Sequence, residues 1–229
     1  MKIKILKEII KKKLSKERFA LLTNLLNGKS EIYELKKPLS KEFINCKKEI
    51  DNYYNLQKNG IIEEKNIFIH NYIEPVEVII IGAVHITQYL IDFVKNLDFS
   101  ITIIDPRKHF TTKQKFKNVK IINKWPDKIL TKIKVSSNTA LITLTHDPKI
   151  DDPALHYALR NKFFYIGALG SKKTHLERCK RLKEDGFTEE EINSIHSPVG
   201  IKLGGKSAPE IALSVVAQLV KESKKNNFN

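Results

Sequence analysis

A strand that runs straight into a glycine, then a helix, then a second strand ending on an acid leaves few folds open. This chain reads V-E-V-I-I-I-G-A-V-H-I-T-Q-Y-L, then S-I-T-I-I-D-P-R. The apolar run Val78 to Ile81 predicts a buried strand, Gly82 a turn, His85 to Val94 a helix, and Ile101 to Ile104 a second strand closed by Asp105. Asp105 lies 23 residues after Gly82, near the ~20 that separate a phosphate turn from a ribose-binding acid in dinucleotide folds. Such a unit offers a helix N-terminus to a phosphate and a carboxylate to sugar hydroxyls. The glycine pattern is incomplete, because Val84 and Thr87 stand where the second and third glycines would be. A branched side chain at Val84 hinders close approach of a pyrophosphate. The alternative is an ordinary parallel-sheet turn with no ligand.

From residue 76 onward, strands and helices alternate. Strands are predicted at 77–82, 100–105, 118–122, 138–145 and 163–168, and helices at 85–96, 126–133, 152–161, 172–185, 188–195 and 208–223. Alternation of this kind predicts an α/β fold, a Rossmann-like parallel sheet flanked by helices. Residues 1–72 differ and read as a small α+β appendage. Phe19 to Leu26 and Glu31 to Leu35 flank Asn27-Gly28, the signature of a hairpin. A helix follows over about 41–57, ended near Asn59-Gly60, then a short strand at Ile67-Phe68-Ile69 and a linker at Glu74-Pro75. The division expected is therefore 1–72 and 73–229.

At 229 residues with 41% apolar content the chain can bury a full core. No apolar run approaches the ~18 residues of a membrane span, and the N-terminus, interrupted by Glu8, lacks a secretory pattern. A cytoplasmic protein without a membrane partner is expected. The two cysteines, Cys46 and Cys179, do not demand a disulfide. A net charge of +15 invites a nucleic-acid reading, but the lysines are dispersed and no groove-reading or base-stacking motif accompanies them. No nucleic-acid partner is expected. Lys11, Lys12, Lys13, Lys224 and Lys225 read as surface or frayed ends.

In a doubly wound sheet the ligand lies beyond the carboxyl ends of the strands. The loops there would be Gly82 to His85, Asp105 to Arg107, Thr145 to Asp152, and Gly167 to His175. A later segment, His196 to Gly205, is also rich in glycine. Gly170-Ser171-Lys172-Lys173-Thr174 joins a flexible glycine to hydroxyls and ammonium groups at a helix start, a plausible anion cradle. It lacks the spacing of an ATP-binding P-loop. Asp152 with Pro153 reads as a helix cap, while Asp147 could accept from the N–H edge of a pterin or guanine. Four of the seven histidines (His85, His146, His175, His196) fall in or beside these loops, without zinc spacing. No metal site and no catalytic triad is expected.

Five segments together resemble one family. They are I-G-A-V-H-I, I-I-D-P-R, T-L-T-H-D-P-K-I-D-D-P-A-L, Y-I-G-A-L-G-S-K-K-T-H and H-S-P-V-G-I-K-L-G-G-K-S-A-P-E-I-A-L-S. In this order they resemble the XdhC/CoxF family, accessory factors of xanthine dehydrogenase and carbon monoxide dehydrogenase type molybdoenzymes. The resemblance covers about 68–220. It implies a non-catalytic maturation factor that binds molybdopterin, the molybdenum cofactor or its dinucleotide form, and docks a target molybdoenzyme, with homodimers common. The strand-end loops and the later glycine segment supply the cofactor-binding set expected: Gly82, His85, Asp105, Arg107, His146, Asp147, Gly170, Ser171, Lys172, Thr174, Gly204 and Gly205. Two departures matter. Many members carry G-A-G-H where this chain has Gly82-Ala83-Val84-His85. The family's N-terminal G-G-C motif has no counterpart in 1–72, and Cys46 sits in F-I-N-C-K-K-E-I. Binding or delivery is thus favoured over direct sulfuration. The competing class is an NAD(P)-dependent oxidoreductase built on the same unit.

Overall fold

The computed structural model describes residues 3–15, 17–35, 37–73, 75–97, 99–111, 116 and 119–226. The chain divides into two compact units, Met1–Glu74 and Pro75–Asn229.

The first unit begins with helix α1 (Ile3–Ser15), where sequence reasoning saw only lysine-rich ends. Ile9 and Lys12 are buried. Lys12 is no frayed surface residue, because its Nζ pairs with Glu17 at 2.8 Å and Glu34 at 2.5 Å. Burial opposes that charge, yet the two carboxylates hold the ammonium above its ordinary pKa. Strands β1 (Phe19–Asn24), β2 (Ser30–Tyr33), β3 (Gly60–Ile62) and β4 (Ile67–Tyr72) form an antiparallel sheet ordered β2-β1-β4-β3. The expected hairpin joins β1 to β2. Asn24 Oδ1 accepts the N–H of Leu26 at 2.9 Å and of Asn27 at 3.3 Å, and Gly28 takes φ +69°. The expected helix is a 3-10 turn (Ile44–Cys46) leading into α2 (Lys47–Asn55). Its Ile50 and Tyr54 pack with Leu22, Phe43, Cys46 and Ile69. Gly60 opens β3 rather than merely ending a helix. Glu74 of the expected linker and Asn118 of the expected strand at 118–122 lie outside the described residues.

The second unit holds β5 (Val76–Ile81), α3 (His85–Val94), β6 (Phe99–Ile104), β7 (Lys120–Ile122), α4 (Pro126–Ile129), β8 (Thr139–Thr143), α5 (Pro148–Leu159), β9 (Tyr165–Ala168), α6 (Lys172–Glu184), α7 (Glu189–Asn193), β10 (Ile195–His196) and α8 (Ala208–Asn226). All six strands pair in parallel, in the order β10-β9-β8-β5-β6-β7. Chain direction across the sheet reverses between β5 and β8, which is the doubly wound arrangement. The sequence shows why. Val78 and Ile80 face one core with Ala140, Ile142, Leu90, Val215 and Leu219. Ile79 and Ile81 face the other with Leu141, Ile166, Ala154 and Leu155. A strand buried on both faces needs an unbroken apolar run, and each such isoleucine contributes about 1.5–3 kcal/mol by leaving water.

Helix boundaries in this unit shift from expectation by up to four residues. α5 starts at Pro148, not near 152, because Asp147 is the cap and its side chain accepts the Lys149 N–H at 3.0 Å. Pro148 takes the first helical position, where its missing N–H is no loss, and Pro153 lies inside the helix. Asp152 is freed from capping and pairs with Arg181 of α6, at 2.6 Å to Nε and 3.2 Å to Nη2. Thr188 and Glu191 form a reciprocal capping box at the start of α7. Lys224 and Lys225 are exposed but lie within α8 rather than beyond it. Both cysteines are free thiols.

Candidate functional site

The switch point lies between the ends of β5 and β8, where the Gly82 turn meets Thr145 and Asp105. Gly82 has φ +114°, and a Cβ there would come 2.8 Å from Thr145 Cγ2. Its N–H donates to Ile104 O at 2.9 Å. Its carbonyl accepts the Thr87 hydroxyl at 2.7 Å. Thr87, at the third glycine position, therefore braces the turn. Val84 caps α3 in an extended conformation and packs against the core. His85 is exposed and meets Tyr89 edge-on, with ring centroids 5.0 Å apart.

Asp105 is fully buried. It accepts from Ala83 N at 2.8 Å, Arg107 N at 2.9 Å, Arg107 Nε at 2.9 Å and Arg107 Nη2 at 2.8 Å. Burial pushes its pKa up, but the Arg107 guanidinium and the two backbone donors outweigh that and hold it below the usual carboxylate value. Where the sequence leads us to expect Asp105 to reach ligand hydroxyls, the structure shows it engaged within the fold. Its carboxylate has no surface to offer, and it clamps the β6 end to the glycine turn. Arg107 is committed to the same clamp and also lies over the Phe110 ring, 4.5 Å from its centroid.

The β8 loop is organised by Asp151. Asp151 is buried, and its carboxylate accepts the Thr145 hydroxyl at 2.7 Å, Thr145 N at 3.4 Å and His146 N at 3.1 Å. Desolvation dominates, and its pKa is pushed up to about 6 in spite of these donors. The loop thus tightened holds His146 at φ +62° with an exposed side chain. Asp147, as the α5 cap, already accepts Lys149 N with one oxygen.

Across from this loop, α6 begins. Gly170 takes φ +144°, and a Cβ there would press on Thr174 at 3.1 Å. Ser171 is the cap. Its hydroxyl accepts Thr174 N at 3.2 Å and lies 2.9 Å from Thr174 Oγ1. Lys172 and Lys173 are exposed on this first turn. Arg178, one turn further, is buried. It donates to Leu169 O at 2.9 Å and Ser197 Oγ at 3.3 Å, tying the β9 and β10 loops together. Burial lowers its pKa while Asp151 and Asp152 oppose that. Between α5 and α6 lies a cavity of about 260 Å³, lined by His146, Pro148, Asp152, Lys173, Thr174 and Arg178 among others.

The structure therefore gathers His146 and Thr174 around one cavity, with Ser171 and Lys172 on the turn beside it. Gly82, Asp105 and Arg107 form a separate internal clamp. Gly204 and Gly205 lie in an exposed loop before α8, and Glu210 packs where a Gly205 Cβ would be. In the neighbouring segment, His196 stacks on Tyr165 with centroids 4.7 Å apart. Gln218 accepts from both the Tyr165 hydroxyl and Gly200 N at 2.6 Å. Among the described residues no three His, Cys, Asp or Glu side chains form a metal-binding group.

Comparison with known proteins decides the family, because residues 78–219 match the XdhC Rossmann domain. The chain belongs to the XdhC Rossmann-domain family. One relative is the molybdenum cofactor insertion chaperone PaoD of Escherichia coli, 42% identical over 85 residues, 37% of this chain and 27% of that one. Another is a probable xanthine dehydrogenase subunit from Bacillus subtilis, 28% identical over 161 residues, 70% of this chain and 47% of that one. The alignments thus span less than half the length of these relatives. A solved structure of a Bacillus halodurans protein, described as a xanthine dehydrogenase, matches with a TM-score of 0.69 at 23% identity. It covers 97% of this chain and 64% of that one, a likeness of fold. Among the described residues no helix is long and apolar enough to cross a membrane.

Proposed function

We propose that this chain is a molybdenum-cofactor-binding maturation factor that protects or delivers the cofactor to a xanthine dehydrogenase or carbon monoxide dehydrogenase type enzyme. The observation that carries this reading is the XdhC Rossmann-domain match across 78–219, joined to 42% identity with a molybdenum cofactor insertion chaperone. The cofactor here is cargo, carrying a phosphate and a pterin. The residues fit those groups. The first turn of α6 presents helix N–H groups, the Thr174 hydroxyl and the Lys172 and Lys173 ammonium groups to a phosphate. The adjacent cavity, with His146 and Asp152 on its wall, offers a hydrogen-bonding rim to a flat heterocycle. Its volume of about 260 Å³ is small for a complete dinucleotide, so the form without a nucleotide is the better fit.

The same geometry weighs against nicotinamide chemistry. A dinucleotide laid across the switch point would need the Gly82 turn and the Asp105 carboxylate, and Thr145, Ala83 and Arg107 already engage them. Co-expression with a molybdoenzyme of the xanthine dehydrogenase type tests the proposal. The expected result is a higher yield of active, molybdenum-loaded enzyme. An unchanged yield, with turnover of NADH or NADPH by the purified chain, would favour the oxidoreductase instead.

A further inference from the structure

Helix α1 carries an apolar stripe that the fold leaves uncovered. Ile3 is 74% exposed, Leu6 44%, Ile10 50% and Leu14 76%. At ~100° per residue, Ile3, Ile10 and Leu14 fall within about 40° of one another, and Leu6 lies about 40° from Ile10. The stripe is therefore one continuous face about 17 Å long. The opposite side is the one that packs, through Ile9 and the ion-paired Lys12. Exposed Lys7, Lys11 and Lys4 flank the stripe on one edge, and Lys13 on the other, its Nζ 4.9 Å from the Tyr72 ring centroid. Glu8, the single acid of the helix, points away from the stripe by the same period.

We propose that α1 is a peripheral docking helix for an anionic lipid surface. Aliphatic side chains on one face with lysines on the flanks match the boundary between acyl chains and negatively charged headgroups. Lysine stems extend along such a boundary while their ammonium groups reach the headgroups. A second copy of the chain fits poorly. Two such faces would bring Lys4, Lys7 and Lys11 of each copy together without acids to pair them, in a chain of net charge +15. A protein groove fits less well too, since the stripe lacks the aromatic and arginine anchors that dominate such interfaces. This departs from the expectation of no membrane partner, which considers spanning segments alone.

The test is co-sedimentation of the full chain with vesicles of phosphatidylcholine alone and of phosphatidylcholine with phosphatidylserine. Binding to the anionic vesicles, falling with added salt, is expected. Leu6→Ser with Ile10→Ser should lower partitioning by about tenfold or more, and Lys4→Glu with Lys7→Glu and Lys11→Glu by at least as much. These side chains are exposed, so thermal unfolding should be unchanged in both variants. The proposal is overturned if neither vesicle binds the chain, or if L6S/I10S binds as well as wild type, which would leave only diffuse charge. It is also overturned if the chain sediments as a dimer that L6S/I10S dissociates, because a second copy would then cover the stripe.

Discussion

The carboxylate of Asp105 accepts the backbone N–H of Ala83 at 2.8 Å, so the end of one strand locks the glycine turn that follows its neighbour. With Arg107 closing the other oxygen, the acid at this Rossmann position is structural. Asp105→Ala would leave a part-buried guanidinium and two N–H groups without their acceptor. Loss of about 3–5 kcal/mol of stability is expected, the cost typical of breaking a buried pair. Denaturant unfolding would reveal it as a lowered midpoint. A variant as stable as wild type but defective in ligand binding would restore the ligand-facing role.

Gly82 and Thr145 are similarly coupled. Gly82→Ala combines a strained positive φ with a 2.8 Å approach to Thr145 Cγ2. It should cost about 1–3 kcal/mol. Thr145→Ser removes that methyl while keeping the hydroxyl that bonds Asp151. The double variant G82A/T145S should therefore recover part of the loss. Strict additivity of the two changes would show that the contact is not felt.

Asp151 gives the fold a pH dependence with a definite sign. Its folded pKa of about 6 lies above its ordinary value of 3.8. The folded state holds the proton more tightly, so this group costs nothing below the lower value and an increasing amount as pH rises towards the upper one. Relative to Asp151→Asn, wild-type stability should fall by roughly 2–3 kcal/mol between about pH 4 and pH 7. Parallel stability curves for the two proteins across that range would refute the assignment.

The start of α6 is the expected phosphate site. Lys172→Glu with Lys173→Glu should weaken binding of molybdopterin, and wild-type affinity should decline with salt because exposed charges are screened. Affinity indifferent to both would move the phosphate elsewhere.

The parallel sheet was legible because its strands are buried on both faces. The run Val78 to Ile81 must be apolar throughout, and so must Ala140 to Ile142. What escaped was set by tertiary contacts. α1 hides its stripe among lysines, and the burial of Lys12 depends on Glu34, far along the chain. β3 and β10, of three and two residues, exist only because β4 and β9 lie beside them. The spacing from Gly82 found Asp105 but could not show that Arg107, two residues on, would occupy it. Asp151 left a sign in its place one helical turn after Asp147-Pro148, itself a complete cap and first-position pair. Arg178 left a fainter one, four residues beyond Thr174 on the same helix face.

The most direct measurement is mass spectrometry of small molecules released from the full chain after purification from a molybdenum-replete host. A pterin phosphate species is expected, bound to wild type and depleted in K172E/K173E. A nicotinamide dinucleotide in its place, retained by that variant, would contradict a molybdenum-cofactor role.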